Sequence, residues 1–179
     1  MLNDAMIRAY GGTDADGHWT QRESFEVLEH ATALAVCAAG TTPAVDAAIG
    51  LMARLPTQTV RSEEQIDWQQ FSTPLDLATI TVMLANARAD DIVLEPSAGN
   101  GLLVAGLPPI AALQLNEIDP ARRERLSATF PKASVTGHDG AQIASVMASA
   151  ERPSLILMNP PFSRSVSYTH LTLPTSDLV

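Results

Sequence analysis

Short apolar runs that alternate with helix-starting signals constrain this chain most. Ile92-Val93-Leu94 follows the turn signal Asp90-Asp91 and reads as a buried strand. A second run, Ala112–Leu115, ends in Asn116-Glu117. A third strand is predicted over Ser134–Thr136 and a fourth over Leu155-Ile156-Leu157-Met158. Helices are predicted between them. Asp119 caps and Pro120 opens one in which Leu126 and Phe130 face inward, and another covers Ala141–Ala150. Strands alternating with helices predict βαβ units and a parallel sheet covered on both faces, an α/β fold.

Upstream, the spacing of Phe25, Leu28, Ala31, Leu34 and Ala35 predicts a helix from about Thr20 to Ala39, stopped by Gly40. A second helix is expected over Pro43–Leu55 with Thr42 as its cap. A third is expected over Pro74–Ala87 with Thr73 as its cap. Residues 57–70 read as a short helix or linker. Residues 1–19, polar and glycine-containing, read as a flexible arm. The division expected is thus an arm (1–19), a helical segment (20–69) and an α/β domain (70–165). Trp19, Trp68 and His30 are assigned packing or surface roles.

Bulk composition narrows the function classes. Of 179 residues 46% are apolar and 4% aromatic, a globular composition whose core is built from Ala, Leu, Val and Ile. The net charge of −9 provides no basic face for nucleic acid, so a nucleic-acid substrate would be gripped mostly from elsewhere. Arg122, Arg123 and Arg125 read as a solvated helix face. The single cysteine, Cys37, excludes an internal disulfide and a Cys-cluster metal site, and reads as a small buried hydrophobe. No metal site is expected. Residues 1–15 lack the apolar run of a signal peptide, and Ala31–Leu55 is interrupted by Thr41, Thr42, Pro43 and Asp46. A cytoplasmic location and no membrane partner are expected.

Candidate chemistry lies at the strand ends. Glu95-Pro96-Ser97-Ala98-Gly99-Asn100-Gly101 follows the first strand, where open α/β sheets bind ligands, and its glycines permit close approach of backbone to ligand. Glu117, after the second strand, is placed to accept from two ribose hydroxyls. Asp139, after the third, is placed to accept from an adenine amino group. A G-x-G-x-x-G dinucleotide loop is not formed, because Leu102 and Leu103 follow Gly101. This suits a nucleoside without a pyrophosphate. Only Leu102–Ile110, with Pro108-Pro109, separates the loop from the second strand, so the helix there is expected to be barely two turns.

The order FSTP (71–74), EPSAGNG (95–101), NEID (116–119), HDG (138–140) and NPPF (159–162) resembles the amino-methyltransferases of the class I S-adenosylmethionine fold over residues 70–163. The wording also resembles methyltransferase-like domains of bacterial strawberry-notch-type helicase fusions. The resemblance implies a Rossmann-like sheet, here its first four strands, and S-adenosyl-L-methionine as cofactor. It implies that Phe71 and Thr73 lie near the methionine part and that Glu95, Pro96, Ser97, Gly99 and Gly101 form the cradle. Glu117 would hold the ribose, Ile118 pack on adenine and Asp139 read its amino group.

Asn159-Pro160-Pro161-Phe162 supplies the catalytic reading. An exocyclic amine is a poor nucleophile because its lone pair is delocalised into the ring. The Asn159 side-chain oxygen and the Pro160 carbonyl can accept its two hydrogens and aim that lone pair at a methyl group. The two prolines stiffen the acceptors and Phe162 can stack on a flipped base. The implied activity is N6-adenine methylation of DNA, with a fused or associated helicase as a possible partner. A non-catalytic module and a methyltransferase acting on RNA or protein glutamine stay open. Residues 166–179 resemble one reading frame of a transposon-end adapter and are set aside as a non-native tail. A fold of this class has about seven strands, so the chain by itself is expected to be truncated, and poorly soluble or inactive.

Overall fold

The protein is described from a computed structural model over residues 2–55, 72–146 and 152–160. The expectations for Trp68, Phe71, Pro161, Phe162, the segment 57–70 and the tail 166–179 lie outside the described residues.

Helix α1 (Leu2–Tyr10) leads into helix α2 (Gln21–Ala39). Residues 2–10, expected to belong to a flexible arm, instead form a helix. Leu2, Met6 and Tyr10 recur every four residues on one face, and Met6 is fully buried where α1 packs on α2. Trp19 is buried too, and its indole N–H donates to the Gly12 carbonyl at 2.9 Å.

The bounds of α2 are those its sequence dictates. Thr20 accepts from the Glu23 amide while the Glu23 carboxylate accepts from the Thr20 amide, a reciprocal cap. Gly40, at φ 67°, ends the helix in the left-handed region.

Helix α3 (Val45–Met52) and helix α4 (Leu75–Ala85) pack against each other. Both are shorter than expected, and neither carries a side-chain cap. The two threonines expected as caps are used over longer range. The Thr42 hydroxyl donates to the Gly106 carbonyl at 2.6 Å, and the Thr73 hydroxyl meets Asn159. Asn86, at φ 49°, closes α4.

Strands β1 (Ile92–Glu95), β2 (Ala112–Asn116), β3 (Ser134–Thr136) and β4 (Leu155–Ile156) form one parallel sheet in the order β3-β2-β1-β4. Between β1 and β2 the chain makes successive i→i+3 turns rather than the short helix expected. Val104 donates to Gly101, Ala105 to Leu102 and Leu107 to Val104. Helix α5 (Pro120–Thr129) joins β2 to β3 and is capped as predicted. The Asp119 carboxylate accepts from the Ala121 and Arg122 amides at 2.8 and 3.2 Å. After β3 come a 3-10 turn (Gly140–Gln142) and a helical turn α6 (Ile143–Val146); the rest of the expected Ala141–Ala150 helix lies outside the described residues.

The chain runs outward from β1 to β3 and then crosses back to add β4 on the other side of β1. That is the doubly wound, Rossmann-like order, with its switch point between β1 and β4. One core forms between the sheet and two helices. Val93, Leu115 and Leu157 pack with Ala78 and Val82 of α4 and Leu126 of α5. Full burial of Leu126 alone stabilises the fold by about 2 kcal/mol. A second cluster joins Ala33 and Val36 of α2, Ala48 of α3 and Leu75 of α4 to Leu102 and Ala105. The N-terminal helices thereby pack on the turns that follow the glycine loop.

Candidate active site

The site is built from four loops leaving the carboxyl ends of four parallel strands. Register sets their heights. Leu94 pairs with Ile156 and the Leu157 amide donates to Leu94, so the loops after β1 and β4 leave neighbouring strands at the same level.

Glu95 ends β1 with its side chain fully buried. One carboxyl oxygen accepts from the Ser97 amide and hydroxyl at 3.1 and 3.2 Å, while the other has no partner among the described residues. Burial, reinforced by the nearby Glu117 charge and only partly offset by Ser97, pushes the Glu95 carboxyl up to about 7. Gly99 and Gly101 both adopt positive φ, 57° and 83°. At Gly101 the reason is also steric: a β-carbon would stand 2.9 Å from Leu126 Cδ2 and against the Phe130 ring. At Gly99 the space is open, the nearest atom being Arg122 Nη1 at 4.0 Å.

Glu117 pins this loop. Its Oε2 accepts from the Gly99 amide and its Oε1 from the Asp119 amide, both at 2.8 Å. Ile118 beside it is half exposed, an apolar side chain open to solvent. Arg123 holds the same turn, donating to the Glu117 and Ile118 carbonyls.

Asn116, buried at the end of β2, ties three loops together. Its amide donates to the Pro96 and His138 carbonyls at 3.0 and 2.9 Å, and its oxygen accepts from the His138 amide and the Thr136 hydroxyl. The Pro96 carbonyl also lies 3.4 Å from where a β-carbon of Gly140 would stand. Asp139 is exposed on the rim between them. On the β4 side, the Asn159 amide donates to the Thr73 hydroxyl at 3.1 Å, and Pro160 follows, exposed.

Thus Glu95, Pro96, Ser97, Gly99, Gly101, Glu117, Ile118 and Asp139 gather around the ends of β1 to β3. Thr73 and Asn159 form a pair beyond β4.

Sequence reasoning missed the residues that hold this arrangement from behind. Arg122, expected on a solvated face, is buried and bonded to Glu26 of α2 through both Nε and Nη2. Arg125 reaches the same carboxylate at 3.1 Å. The signal was present: Arg122 lies one turn before Leu126, on the stripe that faces the core. These cations keep the Glu26 carboxyl below its usual range although its burial works in the opposite direction. Asn100, between the two glycines, is likewise buried.

No family model matches the chain, and no curated protein does. Among solved structures it is similar to a putative RNA methyltransferase from Pyrococcus horikoshii, at 23% identity and a TM-score of 0.46. The likeness covers 64% of this chain and 58% of that one, so the chain spans little more than half that protein's length.

Proposed function

We propose that these residues serve S-adenosylmethionine-dependent methyl transfer to an exocyclic amino group, with N6 of adenine in DNA as the acceptor. The observation that carries the reading is the Asn159–Thr73 pair. The Thr73 hydroxyl occupies the Asn159 amide nitrogen, which leaves the amide oxygen as the acceptor at the switch point of the sheet.

Two features of the loop favour a nucleoside cofactor over a dinucleotide. The Gly99 amide, which a phosphate would need, is spent on Glu117. The residues after Gly101 make turns, so the loop does not run into a helix N-terminus of its own that would receive a pyrophosphate. The acids fit a cationic nucleoside. Each Glu117 oxygen keeps acceptor capacity for a ribose hydroxyl, Ile118 offers an apolar face to adenine, and Asp139 stands on the rim for its amino group. The resemblance assigns Glu95, Ser97, Gly99 and Gly101 to the cradle and Thr73 to the methionine part.

The cofactor supplies an activated methyl on sulfonium sulfur. The protein's part is alignment: Asn159 Oδ1 and the Pro160 carbonyl accept the two amino hydrogens, so that the nitrogen lone pair points away from both. The resemblance assigns Pro161 the stiffening of these acceptors and Phe162 the stacking on the base. The choice of adenine rests on Phe rather than Tyr at position 162 and on the Glu95-Pro96-Ser97-Ala98-Gly99 wording.

Turnover is measured with the protein, radiolabelled S-adenosylmethionine, and DNA, RNA and protein substrates together. Label is expected in DNA as N6-methyladenine, and Asn159→Ala is expected to lower the rate about 100-fold or more. Label in RNA or on glutamine would move the acceptor. An unimpaired Asn159→Ala protein would refute the mechanism.

A further inference from the structure

A continuous polar network runs from the glycine loop to the Thr73–Asn159 pair, and it passes through helix α2. The Asn100 amide nitrogen donates one hydrogen to Glu26 and one to Glu29, each at 2.8 Å. These carboxylates are three residues apart and so share a face of α2. Glu26 is fixed on its other side by Arg122 and Arg125 of α5. The Glu29 oxygen that receives Asn100 also receives the Ser72 hydroxyl, at 2.6 Å. Ser72 directly precedes Thr73, and Thr73 holds Asn159.

We infer that Glu29 is a positioning residue of the site, setting the glycine loop and the 72–74 segment relative to each other by accepting from Asn100 and Ser72 through one oxygen. The N-terminal helices are then part of the cofactor-binding unit. The inference rests on the methyltransferase reading for its functional half alone. Its geometric half stands on the bonds themselves.

Neither glycine resists rotation, so the loop keeps its left-handed conformations only while its neighbours hold it. Glu117 holds it from the crevice side through Gly99, and Asn100 holds it from behind. The Ser72 segment is not held by a helix cap, since α4 has none from a side chain. Among the described residues its side-chain ties are Ser72 to Glu29 and Thr73 to Asn159. Burial pushes the Glu29 carboxyl up from its ordinary range, and the Ser72 and Asn100 bonds offset part of that rise.

The test uses three variants of the chain. Ser72→Ala removes one bond at a distance from the glycine loop. Glu29→Ala removes both bonds. Glu29→Gln keeps an acceptor of the same shape. Amide hydrogen exchange is measured without ligand over residues 96–104 and 72–80. Affinity for S-adenosylhomocysteine is measured by calorimetry. Both Ser72→Ala and Glu29→Ala are expected to speed exchange in residues 96–104 about threefold or more, with α1 and β3 unaffected. Glu29→Ala is expected to weaken binding about tenfold, and Glu29→Gln to stay within about threefold of wild type. Exchange in residues 96–104 that ignores both alanine variants overturns the inference, and so does affinity that ignores Glu29→Ala. A wild-type protein that binds no S-adenosylhomocysteine refutes the proposed function instead, and the exchange of Ser72→Ala then decides the positioning role by itself.

Discussion

Glu95→Gln isolates the electrostatic cost of the buried carboxyl at the end of β1. In the folded protein this carboxyl is pushed up to about 7, from an ordinary value of 4.5. Below about pH 4.5 it is protonated in both folded and unfolded chains and stability is insensitive to it. Between 4.5 and 7 the unfolded chain ionises while the folded one keeps its proton, so rising pH favours unfolding. Above about 7 both are ionised and the effect levels off. The window is about 2.5 pH units wide, and at about 1.4 kcal/mol per unit the loss reaches about 3 kcal/mol. A glutamine, which cannot ionise, removes that loss while leaving an oxygen for Ser97. Urea unfolding of both proteins at pH 4.5, 6 and 8 measures the difference, in which all other titrating groups cancel. The variant is expected to gain about 3 kcal/mol on wild type between the lowest and highest pH. Parallel stability curves would refute the reasoning, because Glu95 would then ionise normally in the fold.

Two further predictions concern the supports of the site. Gly101→Ala is expected to cost about 3 kcal/mol, from its left-handed φ and from the clash with Phe130 and Leu126. Gly99→Ala, strained in φ but open in space, should cost only about 1 kcal/mol; thermal unfolding separates them. Arg122→Ala leaves the Glu26 carboxylate buried without its main partner and is expected to cost about 3–5 kcal/mol. Arg123→Ala, on the less buried side of α5, should stay within about 1 kcal/mol, and equal costs would argue that α5 turns a solvated face toward α2.

The sheet was legible because its signals are local. Apolar runs bounded by turn residues located β1 to β4, and Asp119-Pro120 and Thr20 with Gly40 marked helix ends that the fold keeps. The errors share a cause, which is that the deciding partner is distant in sequence. Thr42 and Thr73 carry the chemistry of caps but bond to Gly106 and Asn159, 64 and 86 residues away. Arg122 reads as solvated until Glu26, 96 residues earlier, is placed beside it. Residues 2–10 look like an arm because their one deeply buried side chain, Met6, gains its environment only from α2. At the site, the glycine loop and the acids at strand ends follow from spacing. Asn116 and Asn100 do not, because an asparagine that joins three loops has the same letter as one that caps a turn.

Binding of S-adenosylmethionine tests the central claim most directly. Calorimetric titration of the chain is predicted to give saturable one-to-one binding, weakened about tenfold or more by Glu117→Ala, which removes the carboxylate that pins Gly99 and that the proposed function assigns to the ribose. No measurable binding, or tighter binding of a nicotinamide dinucleotide than of S-adenosylmethionine, would contradict the account.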